Sequence, residues 1–409
     1  MSNENNKGQK NLKVLFITHN YIRTIGDYAG VFLHLLARKL AEYDIEVHVV
    51  APHDASIPEF EKLQGVSIHR FRYADDDRET LAYRGDMHKA LWKPARLILL
   101  RNFIRAAYQT ACRVIDQERI SIVSIHWLVP GGFVGRRLRR KYKNKIRLFL
   151  SSHGTDVRLI TKYPLVLSFF RSMIGQAEIW TVVSNYLKEL ITEKEAGLAG
   201  KIRVMPLPND ESVFYPDERI LQDANLVVNV SRLTVQKKLD VLLEAIKRVS
   251  LKRPHIRLEI YGSGPEKAKL ERKIVARGLE GRVKILRPVP QRKLRLIYNK
   301  ASVVVLNSVD EGFGLTLAEA MLCRTAVIGT RSGGITDIID DRENGLLVPP
   351  DDPIALGDEI SRLLEDQKLR QRLAESGYRK AVDHFSADSL ARAYARLFRS
   401  QKNRPSGKI

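Results

Sequence analysis

The sequence predicts an α/β protein built as two doubly wound, Rossmann-like domains facing an interdomain cleft. Three observations lead there. Short apolar runs rich in Val and Ile alternate with helical stretches from residue 13 onward, and uninterrupted runs of that kind suit a parallel sheet covered on both faces. The alternation breaks once and then starts again, which implies two βαβα series. The chain of 409 residues is 44% hydrophobic and 28% charged, a globular composition with room for about two ordinary domains.

In the first series, residues 13–19, 46–52, 121–127, 147–153, 179–184 and 202–207 read as strands, with helices at 29–43, 131–143 and 185–195 among the intervening segments. The break falls at 214–220, FYPDERI, where a proline and a charged turn interrupt the apolar period. Strands are expected again at 226–231, 257–261, 283–286, 302–306, 325–329 and 345–348. A last helix over 387–400, capped by Ser386, is expected to cross back to the first domain. The predicted organisation is a polar tail 1–12, a first domain 13–215, a second domain 221–384 and a terminal helix 385–402. Because doubly wound sheets bind ligands beyond the carboxyl ends of their strands, the chemistry should lie in the loops that follow strands.

The net charge is +22 and unevenly placed. Residues 101–150 hold 12 basic and 2 acidic side chains, and residues 251–300 hold 15 and 4. Clustering on this scale points to an anionic partner: nucleic acid, anionic lipid or a phosphate-bearing substrate. The helix at 131–143 carries Val134, Leu138 and Tyr142 on one stripe, with Arg136, Arg137, Arg139, Arg140, Lys141 and Lys143 over the remaining arc. In 94–118, Arg96, Arg101, Arg105 and Arg113 do not fall on one clean face. Two distant cysteines, Cys112 and Cys323, point to a reducing compartment. A polar start without an apolar core, and no run of about 18 apolar residues, argue against export and membrane spanning. Signatures of P-loop enzymes, zincins, dithiol redox proteins and serine hydrolases do not occur. The triplet Asp75-Asp76-Asp77 reads as a solvated loop beside Arg72 and Arg78.

Four loops carry chemistry. VDEGFGLTLAEAM, 309–321, follows a strand and opens a helix. There Gly312 and Gly314 allow close backbone approach, and the helix N-terminus offers N–H groups to a phosphate. Glu311 stands before the turn and Glu319 inside the helix, placed for sugar and ribose hydroxyls respectively. In VSRLTVQKKLD, 230–240, Arg232 and Lys237 are two cations at a strand end, suited to a diphosphate. In YGSGP, 261–265, Gly262 and Gly264 begin a dinucleotide-like turn whose third glycine is replaced by Lys267. In SSHGTDV, 151–157, His153 and Asp156 flank Gly154; a histidine there can bond a sugar hydroxyl or carry a proton. His126 ends the neighbouring strand, His19 ends the first strand, and Gly26 and Gly30 sit in the first loop.

These residues together resemble the retaining glycosyltransferases of family 4, which have the GT-B fold. The likeness covers about residues 13–400 and is most specific in the second domain. Glu311 and Glu319 match the family's E-x7-E motif with its Gly-Phe-Gly, and Arg232 and Lys237 resemble its basic pair on the donor diphosphate. Residues 332–353 are similar to the segment that follows in these enzymes, and 153–157 to their first-domain active-site loop. Three positions depart from the pattern: Ala29 precedes Gly30, Lys238 stands for a glycine, and PLPND, 206–210, replaces a glycine-bearing turn.

The resemblance implies a nucleotide-sugar donor, UDP-linked, held by Gly262, Gly264, Glu311, Gly312, Phe313, Gly314, Leu315 and Glu319. It implies His153, Lys237, Arg232 and Glu311 as catalytic, and Gly30, His126 and Asp156 on the acceptor side or in the first loop. No metal or other cofactor is expected. The acceptor would be a glycan or a lipid-linked molecule of cell-envelope polysaccharide or glycolipid synthesis. The protein would work in the cytoplasm, at the inner membrane face where an anionic bilayer is a further partner, and without nucleic acid. The alternatives are a soluble disaccharide or disaccharide-phosphate synthase, a sugar-nucleotide epimerase of the same fold, and a non-catalytic partner of another transferase.

Overall fold

The computed structural model describes residues 12–27, 29–83 and 94–400. The polar tail through residue 11 and the last two residues of the expected terminal helix lie outside them. In chain order, β1 (Leu12–Ile17), α1 (Val31–Leu40), β2 (Ile45–Pro52), β3 (Phe60–Leu63) and β4 (Val66–Phe71) come first. The chain continues through α2 (Pro94–Glu118), β5 (Ile122–His126), α3 (Leu128–Tyr142), β6 (Arg147–Ser152), α4 (Thr155–Lys162) and α5 (Pro164–Gln176). Next are β7 (Ile179–Val182), α6 (Asn185–Lys194) and β8 (Ile202–Val204). The second series runs β9 (Asp223–Val230), α7 (Leu239–Lys252), β10 (Arg257–Tyr261), α8 (Lys267–Ala276), β11 (Val283–Leu286), α9 (Gln291–Lys300) and β12 (Ala301–Leu306). It closes with α10 (Leu315–Leu322), β13 (Ala326–Thr330), α11 (Ile335–Ile338), β14 (Leu346–Val348), α12 (Pro353–Glu365), α13 (Gln367–Phe385) and α14 (Ala387–Arg399).

Two sheets result, with strand orders β3-β4-β2-β1-β5-β6-β7-β8 and β11-β10-β9-β12-β13-β14. Pairing is parallel from β4 through β7 and throughout the second sheet. The sequence did not announce β3 and β4. They form an antiparallel hairpin at the sheet edge, and β3 has only four residues, two of them exposed. Buried Arg70 from β4 anchors the hairpin, donating to the Ile22 carbonyl at 3.0 Å and pairing with Glu61 of β3.

The chain forms two compact units. The first is Met1–Val182, Ile191–Arg203 and Asp388–Ile409; the second is Val183–Leu190 and Val204–Ala387. The first unit therefore ends near β8, before the 214–220 stretch. That stretch belongs to the second unit because Phe214 is buried there, its ring 6.0 Å from that of Tyr298, and Asp217 pairs with Arg295 at 3.1 Å.

Helix α14 packs in the first unit. Phe398 is buried against the rings of Phe149 and Phe16, Arg147 donates to the Phe398 carbonyl, and Tyr43 donates to Asp388 at 2.7 Å. In both sheets the strand order reverses once, between β1 and β5 and between β9 and β12. Among the described residues no helix is long and apolar enough to cross a membrane.

The described tryptophans, Trp127 and Trp180, are buried in the first unit, so their fluorescence reports on its unfolding. Phe398→Ala should lower that unit's stability by about 3–5 kcal/mol, read from the urea midpoint. Ile98→Ala, at an exposed position of α2 in the same unit, should move stability by less than about 0.5 kcal/mol.

Candidate functional site

In the second unit, β9 and β12 are neighbours at the reversal, so the loops after them lie side by side. The β9 loop makes one helical turn, Val235–Lys237, and docks onto the β12 loop: Val309 N–H donates to the Gln236 carbonyl, and the Gln236 amide donates to the Asp310 carbonyl, both at 3.0 Å. Buried Lys237 makes an ion pair with Glu311. Arg232 stands exposed on the same loop, without a carboxylate partner among the described residues. The structure thus brings Arg232, Lys237, Glu311 and the Gly312–Leu315 turn to one switch point.

Gly314 is left-handed, with φ 112°, and caps α10. Phe313 is buried with its ring 5.5 Å from that of Phe385, which fixes the turn from beneath. The first N–H groups of α10, from Leu315 on, lack intrahelical acceptors as at every helix start. The turn is backed by a wedge whose role the sequence did not single out. Gly334 N–H donates to the Glu311 carbonyl at 2.7 Å, and Ser332 accepts from Asp310 N–H at 3.1 Å. A Cβ on Gly333 would lie 2.5 Å from the Glu311 oxygen, and one on Gly334 would lie 2.4 Å from the Gly312 oxygen. Asn307 Oδ1 and Ser308 Oγ at the end of β12 are buried without a partner.

Glu319 lies on α10, half-buried, and accepts from the Tyr298 hydroxyl of α9 at 2.8 Å. Desolvation pushes its carboxyl up to about 7, although the Tyr298 bond pulls the other way. Tyr298 was not foreseen; its only signal was membership of the buried face of α9 with Leu294.

Gly262 and Gly264 behave differently from the expectation of donor contact. A Cβ on Gly262 would meet the Ser231 oxygen at 1.9 Å, and one on Gly264 the Leu233 oxygen at 2.3 Å. Their bareness admits the β9 loop: Leu233 N–H donates to Ser263, and Glu266 N–H to Leu233. These glycines hold the Arg232 loop, and what approaches them is the chain itself.

In the first unit, His19, His126 and His153 gather at the carboxyl ends of β1, β5 and β6. His126 Nδ1 lies 3.2 Å from His153 Nε2 with the rings stacked, and Trp127 lies edge-on to His19. Burial lowers all three: His19 to about 4, His126 to about 3, and His153 well below its ordinary value, with the neighbouring imidazoles adding to the effect. They are neutral at physiological pH. The Nδ1 atoms of His19 and His153 are buried without a partner.

The three residues expected on the acceptor side or in the first loop all make internal contacts in this structure. His126 is 0% exposed between Ser124 and His153, so it positions His153 and meets no solute in this conformation. Asp156 is buried and accepts backbone N–H groups of Leu128 at 2.8 Å and of His153 and Gly154 at 3.3 Å, tying two loops together. Gly30, with φ 63°, leaves room for the chain's own Asn20 carbonyl, which a Cβ would approach to 2.5 Å. The acidic triplet behaves as read: Asp76 pairs with Arg72 at 2.7 Å. Glu79 instead meets His53 at 2.7 Å, and the other His53 nitrogen is taken by the Ile57 carbonyl.

Comparison with known proteins divides the chain between residues 212 and 214. Residues 29–212 match the family model described as "Glycosyltransferase Family 4", and residues 214–380 the one described as "Glycosyl transferases group 1". The N-acetyl-alpha-D-glucosaminyl L-malate synthase of Bacillus anthracis is 24% identical over 310 residues, covering 72% of this chain and 79% of its own. The structure of sucrose-phosphate synthase from Thermosynechococcus elongatus superposes with a TM-score of 0.77 at 21% identity, over 95% of this chain and 98% of the other. That of Anabaena HepE in complex with UDP and glucose does so with 0.71 at 18%, over 95% and 100%.

The raised Glu319 carboxyl has a definite sign. Unfolded, it ionises near 4.5; folded, it stays protonated to about 7. The second unit therefore loses stability as pH rises from about 4.5 to 7, and the loss stays constant above that. Glu319→Gln should remove it, making the variant more stable than the parent by on the order of 1 kcal/mol above pH 7 and equal to it near pH 4. Calorimetric unfolding across that range measures the difference.

Proposed function

Because the chain belongs to the family 4 glycosyltransferases, with their GT-B fold, we propose that it transfers a sugar from a UDP-linked donor to a glycan or lipid-linked acceptor with retention at the anomeric carbon. The observation that carries this reading is the docking of the Arg232–Lys237 loop onto the Glu311–Gly314 turn where the second sheet reverses. Support for the nucleotide comes from HepE, whose structures hold UDP, glucose and UDP-glucose.

In this reading the diphosphate lies between Arg232, Lys237 and the start of α10, which meet charge as it develops on the leaving group. That is the work a divalent cation does elsewhere, so we assign no metal to the reaction. Glu319 takes the ribose hydroxyls. Glu311 takes sugar hydroxyls and, before the donor arrives, keeps Lys237 in place. The bond from the anomeric carbon to the diphosphate oxygen breaks while the acceptor oxygen bonds to the same face, and the acceptor's proton passes to the departing phosphate. Neutral His153 serves as a hydrogen-bond partner for a sugar hydroxyl on the acceptor side. We place the reaction in cell-envelope polysaccharide or glycolipid synthesis on the cytoplasmic side of the membrane.

A panel of UDP-sugars scored by binding and by slow donor hydrolysis tests the assignment. Glu319→Ala should weaken UDP binding about tenfold or more, as loss of the ribose hydroxyls' hydrogen-bond partner does. Lys237→Ala should lower kcat by about 10²–10³ with a smaller change in KM. Full activity in both variants would sink this reading.

A further inference from the structure

The basic surplus of the first unit gathers around one cavity. Between α2 and α3 lies a pocket of about 640 Å³. From α2 it is lined by Arg101, Arg105 and Tyr108, at i, i+4 and i+7, and from α3 by Arg137, Arg140 and Lys141, at i, i+3 and i+4. Each set falls on a single helix face. Arg101 and Arg105, which seemed scattered in the sequence, therefore converge with the cations of the neighbouring helix. The opposite face of α2 is buried through Phe103, Ala107, Val114 and Ile115, so the helix cannot turn its arginines elsewhere.

What the other cations of that block do makes the pocket distinct. Arg139 donates to the carbonyls of Lys143 and Ile146, Arg147 pairs with Glu178 at 2.7 Å, and Arg136 lies over the Phe169 ring. Within the pocket only Lys141 has a carboxylate, Asp116 at 3.3 Å. Arg101, Arg105, Arg137 and Arg140 are exposed and have no carboxylate partner among the described residues. In the equally basic block of the second unit, part of the charge is paired across elements. Lys273 pairs with Asp240, Arg277 with Glu244 and Arg295 with Asp217, at 3.1, 2.9 and 3.1 Å. Four guanidinium forks converging without counter-charge repel one another until an anion enters, and their geometry matches phosphate oxygens in pairs.

We propose that the α2–α3 pocket is a binding site for a phosphate-bearing anion of at least two negative charges, such as a pyrophosphate or phosphodiester group. The site is separate from the donor residues of the second unit, and the proposal does not depend on the transferase reading. The pocket is open to solvent and its cations are grouped between two helices, which suits a compact anionic group; a nucleic acid would call for an extended basic track.

The test uses the full chain. Inorganic pyrophosphate is titrated calorimetrically at low salt, and flotation compares vesicles of pure phosphatidylcholine with vesicles containing phosphatidylglycerol. Arg101→Glu/Arg137→Glu is set against Lys247→Glu/Lys252→Glu, which removes the same charge from exposed positions of α7 in the second unit. Pyrophosphate binding should fall about tenfold or more in the pocket variant and about twofold or less in the control, with UDP binding and far-UV circular dichroism unchanged in both. If the parent also floats with phosphatidylglycerol and the pocket variant does not, the phosphate is a lipid headgroup. If pyrophosphate binds without flotation, it belongs to a soluble or glycan-borne group. Equal losses in both variants, no binding of pyrophosphate by the parent, or flotation without pyrophosphate binding would overturn the pocket and leave only diffuse attraction.

Discussion

The donor side of this protein depends on one contact, the seating of the β9 loop on the β12 loop. It is made by the Gln236 carbonyl accepting from Val309 N–H, the Gln236 side-chain amide donating to the Asp310 carbonyl, and the ion pair of Lys237 with Glu311. The pair is set low, with Lys237 10% and Glu311 19% exposed at the side chain, where breaking one partner strands the other charge. Both flanks of the contact are squeezed by glycines. Gly262 and Gly264 press from one side onto Ser231 and Leu233, and Gly333 and Gly334 from the other onto Glu311 and Gly312. Any side chain at these four positions would lift one loop off its bed, and the cationic and acidic groups would part.

The sequence was most legible where burial is uniform. The parallel strands appear within a few residues of their expected positions because a strand covered on both faces is an unbroken apolar run. It was least legible at the edge, where β3 is short and half-exposed and its partner β4 carries a buried arginine. The second compact unit begins at Val204, before the expected break, because a proline and a charged turn mark a bend and say nothing about which core receives Phe214.

The candidate site was read in the same uneven way. Spacing put the singled-out loops at strand ends, where the structure also has them, and strand ends are where doubly wound sheets bind ligands. It could not tell a glycine that admits a ligand from one that admits the chain's own backbone. Gly30, Gly262 and Gly264 are of the second kind here. Nor could it tell a histidine facing solute from His126, which is wholly enclosed. Both distinctions depend on which loop crosses which, and a single sequence does not contain that.

Two like residues with opposite surroundings complete the argument. Glu311 and Glu319 are eight positions apart, a spacing that on one continuous helix would put them roughly on the same side. They are not on one helix. Left-handed Gly314 starts α10 between them, leaving Glu311 in the loop beside a lysine and Glu319 on the helix beside a tyrosine hydroxyl. One carboxylate is held against a cation. The other is desolvated and given only a neutral donor, which raises its proton affinity. The Gly-Phe-Gly turn therefore does more than open a helix. By interrupting it, the turn gives two identical side chains different electrostatic environments, and that difference is what allows them different parts in holding one donor.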